Sequence, residues 1–353
     1  MTKLEQFLKR SAVEINKELE RFFPRKISRQ WMKENVSAEE FEFDLETYQK
    51  AVVEPVWDFL DRGGKRWRPS LMLLCCEAVG GNRKKALPFV VFPELLHTGS
   101  IIVDDVEDNS SVRRGRPAMH KLFGVDIAVN NGNLLYFLPA FLLYSNKFRL
   151  PSGLKAKIYD VCLEEMVRLS FGQATDIYWH QGKRTAVSEK QYLQMCTFKT
   201  GSLARLSAKL GVILGGGSRK QTEKLGNFAA AIGVAFQIRD DVLNISSSEH
   251  IGKDFGDDIL EGKRSLIILR TLKKAAKHER NRLLAILGSA TGSKPEVAEA
   301  LKIIKKYDGI EFSKAKAKEL VEKSWKEAET CITESSAKSL LREFANYVVE
   351  RQS

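Results

Sequence analysis

Apolar residues recur at three- and four-residue spacing through most of the chain, and the strict alternation of a half-buried strand is scarce. The pattern predicts helices over residues 2–23, 46–61, 86–107, 125–146, 152–178, 188–214, 219–245 and 262–287. Residues 24–40 are polar and read as irregular, and loops are expected at 147–153, 180–188, 215–218, 246–261 and 288–294. After Pro69 the run SLMLLCCEAVGG reads as a buried helix closed by its glycines. Residues 295–350 read as two or three lysine-rich amphipathic helices. Several helices are apolar nearly all round, which places them inside a large bundle. The expected fold class is therefore all-α: one large helical bundle forming a single domain over 1–353. Residues 1–40 are its N-terminal extension and 295–353 its closing helices.

Composition changes this picture little. A 43 % hydrophobic and 29 % charged content is ordinary for a chain that buries a sizeable core. No apolar stretch reaches 18 residues and the first helix is too acidic for a signal peptide, so no membrane insertion and a cytoplasmic location are expected. Cys75, Cys76, Cys162, Cys196 and Cys331 are scattered without CxxC spacing and read as buried thiols of a reducing compartment. The net charge of +12 does point somewhere: it favours anionic partners. Nucleic acid is not expected, because no basic stripe interleaved with aromatics is present. P-loop and kinase-type glycine motifs are absent too.

The chemistry gathers at two acidic clusters. Asp104, Asp105, Glu107 and Asp108 end one greasy helix; Asp240 and Asp241 lie near the end of another. Asp104 and Asp108 share a helix face, with Asp105 about 100° away. Like charges so close repel, and Mg²⁺ is the natural compensating ion, because it takes oxygen ligands from one or two carboxylates plus substrate phosphates. Basic groups accompany the acids: Lys65, Arg66 and Arg68 beside Gly63-Gly64, Arg113 and Arg114 after the first cluster, Lys199 next to Thr200, and Lys253 and Lys263 around the loop after the second. Acids and bases together suit phosphates that are bridged to carboxylates by metal and gripped directly by Lys and Arg. His120 and His180 lack ligand-spaced partners and read as structural, as does Trp179.

Over residues 60–270 the ordered set GGKRWRP, His97 before DDVED, the arginine pair, Lys199-Thr200, FQIRDDVLN, GKDF and EGK resembles the trans-prenyltransferase (polyprenyl synthetase) family, geranylgeranyl diphosphate synthases in particular. The resemblance implies an isoprenoid-synthase bundle around a deep central cavity and a homodimer. It implies prenyl chain elongation from isopentenyl diphosphate and dimethylallyl, geranyl or farnesyl diphosphate, with three Mg²⁺ per active site. Asp104, Asp108 and Asp240 would be the metal ligands, supported by Asp105 and Asp241. Arg113, Lys199, Thr200, Gln237, Lys253 and Lys263 would contact the allylic diphosphate. Lys65, Arg68, His97 and Arg114 would hold isopentenyl diphosphate. Asn244 stands where many members carry Asp, and the segment between Lys253 and Lys263 is longer and more acidic.

Family members that stop at fifteen carbons tend to carry aromatics just before the first cluster. Gly99 and Ser100 stand there in this chain, which implies a twenty-carbon product, with Leu96 and the aromatics of Tyr136–Phe141 as candidates for a deeper floor. The alternatives are a farnesyl or a longer-chain synthase and, further off, a terpene cyclase or an inactive subunit of a heteromeric synthase. A cyclase has no use for GGKRWRP, His97 and Arg114, and an inactive subunit would have lost acidic residues.

Overall fold

The computed structural model describes residues 1–36, 38–145, 147–184, 186–246, 259, 262–288 and 294–350. Among the described residues, the helices of eight or more residues are α1 (Lys3–Phe22), α2 (Glu54–Asp61), α3 (Trp67–Ala78), α4 (Val91–Glu107), α5 (Val125–Phe137), α6 (Ser152–His180), α7 (Glu189–Lys199), α8 (Gly201–Leu214), α9 (Arg219–Ser246), α10 (Leu266–Lys274), α11 (Lys277–Gly288), α12 (Lys294–Lys306), α13 (Gly309–Ala328) and α14 (Ser336–Glu350). The only strands among the described residues are β1 (Val112–Arg113) and β2 (Arg116–Pro117), an antiparallel ribbon. The fold is all-α, as the periodicity predicts. The chain divides into two compact units, Met1–Val161 with Ser207–Thr222, and Cys162–Leu206 with Glu223–Ser353.

In the first unit, Thr2 and Glu5 form a reciprocal cap that starts α1. The buried face of that helix carries Leu4, Phe7, Ile15 and Leu19. Arg83 ties it down: its guanidinium lies 5.2 Å over Phe7 and donates to Ser11 at 3.0 Å and Glu14 at 2.7 Å. α3 is buried almost all round, from Trp67 to Cys76. α4 and α5 pack closely against each other. The stretches 83–107 and 125–144 are long and apolar enough to cross a membrane by composition alone. Two-thirds of the first window is already covered by protein (67 %), so its apolar face is in use as core.

In the second unit, Val242, Ile267, Ile268, Leu283, Ile286 and Ile304 form one buried cluster. Each such side chain contributes roughly 1.5–3 kcal/mol. Buried Glu165 accepts from Arg168 at 2.6 Å and from Arg205 at 3.2 Å, joining α6 to α8 with its charge neutralised. Phe228 packs on Trp325 at 5.0 Å.

The departures from expectation have local causes. The stretch expected to be irregular holds a short helix, Arg29–Asn35, because Ser28 caps it and Met32 buries its face. The helix expected over 125–146 breaks at Pro139, which has no N–H to donate. The helix over 188–214 divides at Thr200, and that over 262–287 divides at Ala275, whose backbone is extended. The N–H of Ala276 there is taken by the Tyr307 hydroxyl at 3.1 Å, a partner 31 residues away that local periodicity does not reveal.

Candidate active site

α4 carries the first acidic cluster at its C-terminal end. Asp104 and Asp108 are half-buried, whereas Asp105 turns inward and is buried. Arg113 meets it from the ribbon: Nε donates to Asp105 Oδ1 at 2.8 Å, Nη2 donates to the same oxygen, and Nη2 stands 3.8 Å from Asp104. Burial raises the Asp105 carboxyl above its ordinary value, and Arg113 opposes that without cancelling it. Burial also works against the charge on Arg113, but Asp105, Asp104 and Asp108 outweigh it and hold the guanidinium above its usual value.

The ribbon has a reason for its shape. Arg114 (φ 53°) and Gly115 (φ 74°) form its two-residue turn, both left-handed, the geometry whose twist suits a tight hairpin. It sends adjacent arginines to different partners. Arg113 goes to Asp105, and Arg114 donates to the Gly63 carbonyl and lies 5.3 Å over Phe59.

Two turns before Asp104, on the same face of α4, stands His97. Arg68 lies 2.9 Å from its Nε2 and stacks on Trp67 at 4.3 Å. Burial, then the charges of Arg68, Arg114, Arg66 and Arg113, push the imidazole well below its ordinary pKa. The ring is therefore neutral, and since arginine only donates, Nε2 accepts and Nδ1 carries the proton. Lys65, three residues before Arg68 in the chain, is exposed. Arg66, between the two, goes the other way. Its backbone is left-handed (φ 46°), and its side chain pairs with buried Glu94 and donates to Asn16 at 3.0 Å.

The second unit assembles the remaining candidates. Lys199 ends α7 and donates to Asp176 of α6 at 2.6 Å. Gly172 makes that approach possible: a Cβ there would lie 2.2 Å from the Lys199 backbone nitrogen. Thr200 Oγ1 donates to Gln237 Oε1 at 3.0 Å, and Gln237 Nε2 donates to Asp241 Oδ1 at 2.9 Å. Tyr192 donates to Asp241 Oδ2 at 2.7 Å. Asp240 and Asn244 are half-buried on α9, one turn apart. Lys263 is half-buried ahead of α10, and Lys253 lies outside the described residues.

Sequence reading missed Asp176 and Tyr192. Their signal was spacing: Asp176 falls one turn after Gly172, and Tyr192 two turns before Lys199. The surroundings of the chain-length candidates are these. Gly99 is a helix-contact residue, because a Cβ would sit 2.7 Å from the Gly132 carbonyl and 3.0 Å from Leu135, so a larger side chain would part α4 from α5. Phe137 is 71 % exposed in the single chain. Phe141 packs on Trp31 and Tyr144. Ser100 is half-buried, one turn from Asp104 and bonded to the His97 carbonyl, while Leu96 is buried and Tyr136 packs beside Gly99.

No three His, Cys, Asp or Glu side chains form a ready cage for a metal among the described residues. The donor set still fits Mg²⁺, which is commonly held by one or two carboxylates and completes its shell with water and substrate phosphate. The hard oxygens of Asp104 and Asp108, with Asp105 withdrawn onto Arg113, offer that arrangement.

The polyprenyl synthetase profile matches residues 49–304. The chain belongs to the polyprenyl synthetase family. This polyprenyl synthetase is 38 % identical to a short chain isoprenyl diphosphate synthase of Methanothermobacter thermautotrophicus, over 82 % of the chain and 87 % of the relative. It is 32 % identical to a geranylgeranyl diphosphate synthase of Sulfolobus acidocaldarius, over 85 % and 90 %. Its fold is similar to that of a geranylgeranyl pyrophosphate synthetase from Pyrococcus horikoshii, with a TM-score of 0.85, 29 % identity and 99 % and 100 % coverage. As a member of the family, this polyprenyl synthetase is an enzyme of prenyl transfer.

Proposed function

We propose that this chain joins isopentenyl diphosphate to allylic diphosphates and releases geranylgeranyl diphosphate. The observation that carries the reading is the succession along one face of α4. A neutral histidine bonded to Arg68 is followed two turns later by a carboxylate pair. One end suits a diphosphate gripped directly, the other a diphosphate brought in with metal. A cyclase, with a single diphosphate, has no use for the first end.

In this reading Asp104, Asp108 and Asp240 bind Mg²⁺, which when bound supplies positive charge against the leaving diphosphate. Arg113 and the Lys199 ammonium add positive charge for the same group. Lys65, Arg68, His97 and Arg114 hold isopentenyl diphosphate, with Arg68 oriented by the histidine acceptor and Arg114 by the Gly63 carbonyl. The isopentenyl double bond attacks as the allylic C–O bond breaks. The departing diphosphate takes that electron pair and then the proton lost from the new chain.

Ser100, small and one turn from Asp104, supports a tail longer than fifteen carbons. Exposed Leu163, Val167, Phe171 and Tyr178 follow one face of α6, which supports a homodimer, as large exposed apolar rows mark interaction sites. We take the whole chain as one catalytic domain working in the cytoplasm. Incubation with labelled isopentenyl diphosphate, Mg²⁺ and each allylic primer tests the reading, with twenty-carbon product expected by chromatography. No condensation with any primer would overturn it, and a Ser100→Phe variant is expected to shorten the product.

A further inference from the structure

Tyr192 is fully surrounded by protein, at 2 % exposure, on the inner face of α7. A phenylalanine would serve packing equally well there. The hydroxyl does something else. It begins a chain of directed hydrogen bonds: Tyr192 to Asp241 Oδ2 at 2.7 Å, Gln237 Nε2 to Asp241 Oδ1 at 2.9 Å, and Thr200 Oγ1 to Gln237 Oε1 at 3.0 Å. A carboxylate only accepts, so Asp241 dictates which end of the Gln237 amide faces it. The other end then dictates that Thr200 donates its proton inward. The lone pairs of the Thr200 hydroxyl are left to face elsewhere.

The same helix ends, two turns on, at Lys199, which is held by Asp176 at 2.6 Å. α7 is thus pinned to α9 by a phenol at one point and to α6 by an ammonium at another. We infer that Tyr192 is a positioning residue for the diphosphate site: by anchoring Asp241 inward it sets the orientation of Gln237 and Thr200 and the outward presentation of Asp240. Desolvation holds the Tyr192 hydroxyl well above its ordinary pKa, so it remains a donor throughout the working range. This inference rests on the reading of Asp240 as a metal ligand, and the test separates the two.

The variant is Tyr192→Phe, which keeps the ring and deletes one O–H. Calorimetric titration of the full-length protein with Mg²⁺ and inorganic pyrophosphate reads the site without turnover. Binding is expected to weaken by about 10- to 100-fold, the range for removing a group that holds a metal ligand in place. In steady state the apparent KM for the allylic diphosphate should rise in parallel, while that for isopentenyl diphosphate stays within about twofold. Phe228→Leu, which loosens the packing on Trp325 in the same unit, should lower the melting temperature and leave pyrophosphate binding unchanged. Unaltered binding in Tyr192→Phe would overturn the inference, and so would equal weakening in Phe228→Leu. If Asp240→Asn itself binds Mg²⁺ and pyrophosphate like the parent, the metal-ligand reading fails instead.

Discussion

The two acidic clusters solve one electrostatic problem in different ways. Each turns one carboxylate inward, Asp105 at the end of α4 and Asp241 on α9, both buried. Asp105 is compensated by a full positive charge, Arg113, delivered by a hairpin of two-residue strands. Both Arg113 bonds fall on one oxygen, and Asp105 Oδ2 has no hydrogen-bond partner among the described residues. Asp241 accepts on both oxygens from neutral donors, Tyr192 and Gln237, carried on packed helices. A charge on a short ribbon adjusts as another charge arrives. Donors carried on packed helices have less room to move. The expectation is that the first cluster shifts more than the second when a ligand arrives.

The sharpest way to break the comparison is to neutralise the outward carboxylates. Asp104→Asn and Asp240→Asn should each lower kcat by about 100- to 1,000-fold, the scale of losing charge stabilisation at a reacting group. A large loss in only one would show that the clusters are not partners. Next comes the packing behind the second cluster. Gly172→Ala drives a methyl into the Lys199 backbone and should cost roughly 1–3 kcal/mol by denaturant melt. It should lower kcat as well, by moving Lys199 from Asp176. On the first side, Gly115→Ala strains only the ribbon turn and should cost about 1 kcal/mol or less, with the main effect on kinetics. A Gly115 variant less stable than the Gly172 variant would reverse the assignment of the rigid half.

The smallest effect concerns pH. The folded-state pKa of His97 lies below its unfolded value of 6.5, so its contribution to stability is present above about pH 6.5 and is lost as pH falls through the depressed value. The melting temperature of the parent should therefore drop more between pH 7.5 and pH 5 than that of His97→Gln, whose amide oxygen still accepts from Arg68. Equal slopes would show that the imidazole is not held neutral.

Much of this was legible in the sequence. The acidic clusters, the all-helical class and most helix starts follow from spacing, charge and caps, which are local. Arg66 and Arg68 show where locality stops. They are two residues apart in a basic run, yet one bends through a left-handed backbone into Glu94 and the other meets His97. Gly99 reads from the sequence as space beside a product, and its close approach to Gly132 could not be read there, because Gly132 comes from the next hydrophobic run. Tyr192 and Asp176 stayed hidden for the same reason. Each matters through one partner that is distant in the chain.

The ribbon from Val112 to Pro117 works as a fixed-length ruler. Arg113 and Arg114 diverge because the first closes β1 and the second opens the turn, with Val112 opposite Pro117 and Arg113 opposite Arg116. Removing or adding a single residue there would rotate the side-chain alternation by one place and hand each arginine the other's direction. Grafts and loop exchanges at this position should therefore preserve six residues, whatever else they alter.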